Sequence, residues 1–178
     1  MSDVDAVLAR VLADLAPTAV DRVAVSRAVV EVDGRPLELH VTTRGRLLLR
    51  ITETAFVVTG PDRAAAGGRP VQLRVGHTGM ARRTGIRVAV ENGGEPARRL
   101  AARLRGSGDL VAAMLPLDFT DFTVVEEDGR LLARIVLMGA SMTRMRVPPT
   151  TTYVRLHDDQ RDALLATVDA LDACFGVA

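Results

Sequence analysis

His77 is the histidine best placed to do chemistry. It shares a strand face with Val71, Leu73 and Val75, and it lies in the glycine-bounded stretch Gly76-His77-Thr78-Gly79-Met80-Ala81-Arg82-Arg83-Thr84-Gly85. Loops of this kind let backbone approach a ligand. Arg82 and Arg83 would bring guanidiniums to the same mouth. An imidazole beside arginines suits proton transfer next to an anion, or anion binding alone. The plainer reading, a half-buried histidine with a hydrogen-bond partner, weighs more. His40 falls on a polar strand face with Glu38, and His157 precedes the last helix. The three histidines have no two-ligand spacing, so no metal site and no cofactor are expected.

Arginine is the second source of chemistry. All 23 basic residues are arginine and none is lysine, which removes Schiff-base and phosphate-loop lysine mechanisms. Arg82, Arg83, Arg87, Arg98, Arg99, Arg103 and Arg105 crowd one segment with only Glu91 and Glu95 for company. Such a segment could meet an anion, but a solvated helix face is the simpler account. It holds no aromatic residue for stacking, so nucleic acid is not an expected partner. Arg144 and Arg146 fall on one strand face and are further anion-binding candidates.

Other catalytic arrangements are incomplete. Ser141 sits in Gly139-Ala140-Ser141-Met142-Thr143, which lacks the second glycine of a nucleophile elbow. Asp118 and Asp121 fall on opposite faces of a regular strand, which argues against a carboxylate pair. The lone Cys174 sits near the apolar stripe of the last helix and reads as a buried thiol.

These residues must be held by a chain of 178 residues, long enough for a sizeable core. Aromatics are only 3%, so the core is expected to be aliphatic. Two near-copies organise the strands: Val29–Val41 and Val124–Val136 agree at eight of 13 positions, each around Asp-Gly. Asp-Gly suits a type I′ hairpin turn. The first copy then pairs Val32 with Arg35, Val30 with Leu37 and Ala28 with Leu39, giving one apolar and one polar face. The second pairs Val125 with Leu132 and is apolar on both.

Around them, Val4, Val7, Leu8, Val11, Leu12 and Leu15 make a first helix capped by Ser2 or Asp3 and followed by Pro17. A tight turn is expected at Arg44-Gly45, leading into a strand over 46–58 whose phase blurs after Glu53, as at a bulge or bend. Gly60–Pro70 reads as a loop. Glu95-Pro96 opens a helix that Gly106 breaks, and Ser107 or Asp109 caps a second piece. Two strands, 141–147 and 151–156, flank Pro148-Pro149, and a final helix starts near Asp158.

The expected fold is α+β: a mainly antiparallel, curved sheet of about eight to nine strands with helices packed on one face. It forms a single domain over 1–178, with an internal duplication into halves 1–115 and 116–178 as a further reading. At the level of fold alone, the order is similar to secretion-chaperone-like domains and to saddle folds.

The C-terminal third carries a resemblance. Leu115-Pro116-Leu117-Asp118-Phe119, Met138-Gly139-Ala140-Ser141, and Tyr153-Val154-Arg155-Leu156 running into Asp159-Gln160-Arg161-Asp162-Ala163-Leu164-Leu165 together resemble an uncharacterised bacterial domain-of-unknown-function family over roughly residues 115–171. The resemblance implies no activity and brings no catalytic residues.

Three functional expectations follow. The first is a non-enzymatic binding or protein-interaction module, a homodimer or bound to another protein. The second is a small-ligand protein whose aliphatic cavity has His77 and the Arg82-Arg83 loop at its mouth, for an apolar or anionic ligand. The third is an enzyme using His77 and an arginine. No apolar stretch is long enough to span a membrane and the first residues are acidic, so no membrane is expected and the cytoplasm is the expected location.

Overall fold

A computed structural model describes residues 2–62, 69–79 and 82–176. The elements run α1 (Asp3–Leu15), β1 (Ala19–Ala24), β2 (Arg27–Val32), β3 (Arg35–Arg46), β4 (Leu49–Asp62), β5 (Gln72–Thr78), β6 (Gly85–Asn92), α2 (Gly94–Gly106), α3 (Gly108–Met114), β7 (Phe119–Glu127), β8 (Arg130–Met145), β9 (Thr150–Val154) and α4 (Asp158–Gly176). The strands are ordered β1-β2-β3-β4-β8-β7-β5-β6, with β9 on β8, and the registered pairs are antiparallel. The class is α+β, as expected.

The chain forms two compact units. The first comprises Met1–Val57, Asp118–Thr120 and Val136–Arg161; the second comprises Val58–Leu117, Asp121–Ile135 and Asp162–Ala178. One Asp-Gly hairpin lies in each.

In the first unit, α1 packs on β3 through Val7, Leu8, Val11 and Leu15, all buried. Ser2 caps α1. Its hydroxyl accepts from Asp5 N at 3.1 Å, and the Asp5 carboxylate accepts from Ser2 Oγ at 2.7 Å and pairs with Arg22. The Ser2 hydroxyl first, and Arg22 next, hold the Asp5 carboxyl down at about 2, against an ordinary 3.8. A depressed carboxylate contributes stability above its unfolded value and loses it as pH falls through the folded one. The Asp5 contribution is therefore complete above the 3.8 region and gone below about 2. A carboxyl-carbon NMR titration should place the Asp5 midpoint near 2, and Ser2→Ala should move it up toward 3.8. A wild-type midpoint already at the ordinary value would refute this assignment.

The first hairpin has the expected register, Val32 to Arg35, Val30 to Leu37 and Ala28 to Leu39. Asp33 and Gly34 take φ of 51° and 77°, as a type I′ turn requires. Ala28, Val30, Val32, Leu37, Leu39 and Val41 are buried, while Glu31, Glu38 and His40 lie on the other face. There Arg27 pairs with Glu38, and His40 Nε2 lies 2.7 Å from the same carboxylate.

The next turn departs from expectation. It is Leu47-Leu48, not Arg44-Gly45, and β3 pairs with β4 from Arg46–Leu49 to Glu38–Val57. The reason is burial: this register sets Leu39 against Phe56, both fully buried. A turn at Arg44-Gly45 would set Leu39 against Arg50. That pairing also runs unbroken past Glu53, so the β3–β4 register carries no bulge there. The phase blurs because Thr54 through Val58 are buried on both faces. β4 continues to Asp62, so Gly60 to Asp62 are strand and not loop, and residues 63–68 of the expected loop lie outside the described residues.

β1 was not foreseen, because Ala19-Val20-Asp21-Arg22-Val23-Ala24 shows no alternation and is exposed throughout. It ends the strand order, and its register with β2 shifts between Asp21 and Ala24. Charge and irregularity of this kind blunt a free edge. The expected strands over 130–136 and 141–147 are one strand, β8, which bends its burial phase at Ile135, Val136 and Leu137 and carries Ala140 at φ 60°.

In the second unit, β5 and β6 form a hairpin with Val75 against Val88, and α2 packs on it through Ala97, Leu100, Ala101 and Leu104. Gly93 enters α2 at φ 108°, where a Cβ would meet the Val71 Cα at 2.7 Å. Ser107 caps α3, accepting from Leu110 N at 3.3 Å. Asp128 and Gly129 turn as their counterparts do, at φ 49° and 76°. Gly60 faces Phe175 of α4, where a Cβ would come within 2.9 Å of the ring.

Candidate functional site

Two groups of the sequence candidates are brought together, one in each unit. In the second unit, β5 delivers His77 and the β5–β6 connection delivers Arg83 to the C-terminal end of α3. His77 Nε2 lies 2.8 Å from Met114 O, and Arg83 Nη1 donates to Leu115 O and Leu117 O at 3.1 Å each. A carbonyl only accepts, so Nε2 carries the proton. The last carbonyls of a helix lack intrahelical partners and carry partial negative charge, which a ring N–H and a guanidinium satisfy. This is a capping arrangement, and it engages both groups that the sequence offers for chemistry. Arg82 is exposed, and its neighbours Met80 and Ala81 lie outside the described residues.

His77→Ala should therefore lower stability by about 1–2 kcal/mol through an unsatisfied carbonyl. Urea unfolding of the variant checks this, and an unchanged midpoint would contradict it. The remaining arginines of this basic segment disperse. Arg98 and Arg99 pair with Glu95 at 3.5 and 3.8 Å, and Arg103 donates to Cys174 O at 3.0 Å. Cys174 is buried in α4, as expected of a structural thiol.

In the first unit, Arg144 from the end of β8 meets Arg50 from the start of β4, and Arg146, expected on the same strand face as Arg144, lies instead in the turn after β8. The three line an open groove of about 800 Å³ together with Leu47, Leu49 and Met145. Two turns form its rim. Arg146 N donates to Leu48 O at 3.0 Å, which holds the β8–β9 connection against the Leu47-Leu48 turn. Asp3, at the start of α1, accepts from Arg144 at 3.1 Å and Arg50 at 3.4 Å. Two of the three guanidiniums thus share one carboxylate, and the groove keeps a cationic excess. Arg44 beside it is paired with Glu53.

The rim is apolar and bare. Leu47 is 87% exposed, Leu48 62% and Val147 70%, with Leu49 and Met145 also exposed. Turns select glycine, asparagine or aspartate, so two leucines at a two-residue turn serve no backbone need. Sequence reasoning placed Leu47 to Arg50 within a strand over 46–58 and did not single out Arg50 as a site residue. The available signal was an aliphatic run, Leu47-Leu48-Leu49, between arginines and followed by an unbroken strand.

Among the described residues the lining holds no nucleophile, general base or acid, and the neighbouring Asp3 carboxylate is engaged by two guanidiniums. A guanidinium stays charged at any ordinary pH and presents a planar fork of donors, so it binds carboxylate or phosphate and does not shuttle protons. The groove can hold an anion beside aliphatic surface. Among the described residues no three His, Cys, Asp or Glu side chains gather as a metal site, and no helix is long and apolar enough to cross a membrane.

A third cluster stabilises the first unit. Asp14, near the end of α1, accepts from Tyr153 Oη at 2.7 Å, Leu156 N at 3.0 Å and Arg155 Nε at 3.1 Å. Arg10 lies over the Tyr153 ring at 5.1 Å. Burial first, and the Asp14 carboxylate next, push the Tyr153 hydroxyl up, so it remains a donor throughout the working range.

No curated protein and no solved structure matches the chain. Residues 13–175 match the family described as "Protein of unknown function (DUF3156)". The match is not confined to the C-terminal third, where the sequence resemblance was read, and takes in most of α4 and everything between it and the end of α1. The chain belongs to this family of unknown function.

Proposed function

We propose that this protein is a non-enzymatic binding module of the cytoplasm, and that its working surface is the arginine-lined groove of the first unit. One observation carries the reading: Arg50, Arg144 and Arg146 line one groove with Asp3 pairing only the first two, beside a rim of exposed aliphatic side chains. Isolated exposed leucines are ordinary, but a run of exposed aliphatic side chains beside clustered guanidiniums marks an interaction surface. The ligand it suits has an anionic group joined to an aliphatic portion. The lining groups supply binding and no proton transfer, which supports a module over an enzyme.

Calorimetric titration with dodecyl phosphate, kept below its micellar concentration, tests this. The wild type should bind, and Arg146→Glu should weaken binding about tenfold, as expected for reversing a charge beside a bound anion. His77→Ala should leave the affinity unchanged. No heat of binding, or equal affinity in wild type and Arg146→Glu, would remove the groove from the account.

A further inference from the structure

We infer that the groove is a docking surface for the anionic phospholipid face of a bilayer, an inference that rests on the binding-module reading. A pocket for a compact ligand places its apolar groups at the floor and encloses them. Here they are exposed. Leu47, Leu48 and Val147, among the most exposed aliphatic side chains, stand on the two turns, and Arg50, Arg144 and Arg146 line the groove beside them. Exposed aliphatic tips beside guanidiniums suit a membrane surface, whose acyl chains lie just below its phosphates. Arg146 N bonded to Leu48 O keeps the two turns side by side, so both can enter together. Arginine is also the cation whose fork fits phosphate. Docking of this kind needs no spanning helix. It is therefore compatible with a chain whose described helices are too short or too polar to cross.

Charge complementarity selects the lipid. Three arginines line the groove and one carboxylate, Asp3, pairs two of them, so a zwitterionic surface gives the groove little, whereas an anionic leaflet attracts each basic residue near it. Contact of aliphatic tips with the acyl region then adds the apolar component.

Co-sedimentation of the full chain with vesicles tests this. The vesicles are phosphatidylcholine alone, or phosphatidylcholine mixed with phosphatidylglycerol. The wild type should pellet with the mixed vesicles and bind neutral ones at least about tenfold more weakly. Leu47→Asp combined with Leu48→Asp should lower binding to mixed vesicles by about tenfold or more. Arg146→Glu should give a similar loss, and added salt should release the wild type. All three replaced side chains are exposed, and thermal melts would confirm that the variants stay folded.

Equal binding to both vesicle types, or full binding by the double leucine variant, overturns the inference. Binding of dodecyl phosphate in the groove without vesicle binding overturns it too, while leaving the binding module intact. So does capture of an acidic peptide of alternating glutamate and leucine when vesicles are ignored, which would assign the groove to a protein partner. Failure of dodecyl phosphate, peptide and vesicles together overturns both readings.

Discussion

Asp14→Ala should destabilise the protein by roughly 3 kcal/mol, because one carboxylate satisfies three donors at once. Tyr153 Oη, Arg155 Nε and Leu156 N all donate to it, at 2.7–3.1 Å. Hydrogen bonds to a charged acceptor contribute about 1.5–3 kcal/mol each, but bonds sharing one acceptor do not add fully. Part of the loss is the Leu156 N–H, left without an acceptor beside a fully buried Leu156 side chain. Asp14→Asn keeps an acceptor oxygen and should retain about half of the stability. Equilibrium urea unfolding of the two variants measures both values. A loss below about 1 kcal/mol for Asp14→Ala would mean that water replaces the carboxylate at little expense.

Phe56→Ala should be the more severe change, at about 3–5 kcal/mol. The chain has four phenylalanines, and Phe56, Phe122 and Phe175 are among its largest fully buried side chains. In an aliphatic core each ring fills a volume that neighbouring valines and leucines are too short to reach. Phe56 sits opposite Leu39, with Ala55 and Val57 buried beside it, so the backbone is held on both faces and cannot collapse into the space. Phe56→Leu should recover more than half of the loss. Thermal and urea melts provide the comparison, and a small effect for Phe56→Ala would show that the cavity closes.

What the sequence reveals here is local. Asp33-Gly34 and Asp128-Gly129 announce their turns because both central residues need positive φ, and few residue pairs accept it. The pairing of Val30 with Leu37 follows from the turn alone. Helix α1 is legible because its stripe and its capping serine lie within a few residues of one another.

The errors arise where distant burial decides. The Leu47-Leu48 turn follows from setting Leu39 against Phe56, not from any turn residue. β1 has no periodicity because neither of its faces is buried. His77 and Arg83 were rightly paired as neighbours, but their partners are carbonyls more than 30 residues away, which no side-chain pattern reveals. Arg144 and Arg146 do not share the expected strand face, because β8 ends at Met145 and Arg146 lies in the turn beyond it, and Arg50 and Asp3, which complete the groove, lie far upstream of both. Asp14 is a similar case, since its three partners lie about 140 residues downstream.

The central claim is that the arginine groove, and not the His77 neighbourhood, binds the ligand. Amide chemical-shift mapping during a dodecyl phosphate titration tests it most directly. The account predicts shifts confined to residues 45–50 and 144–149, with the amides of His77 and Arg83 unmoved. Shifts centred on residues 76–85, with the groove silent, would contradict it.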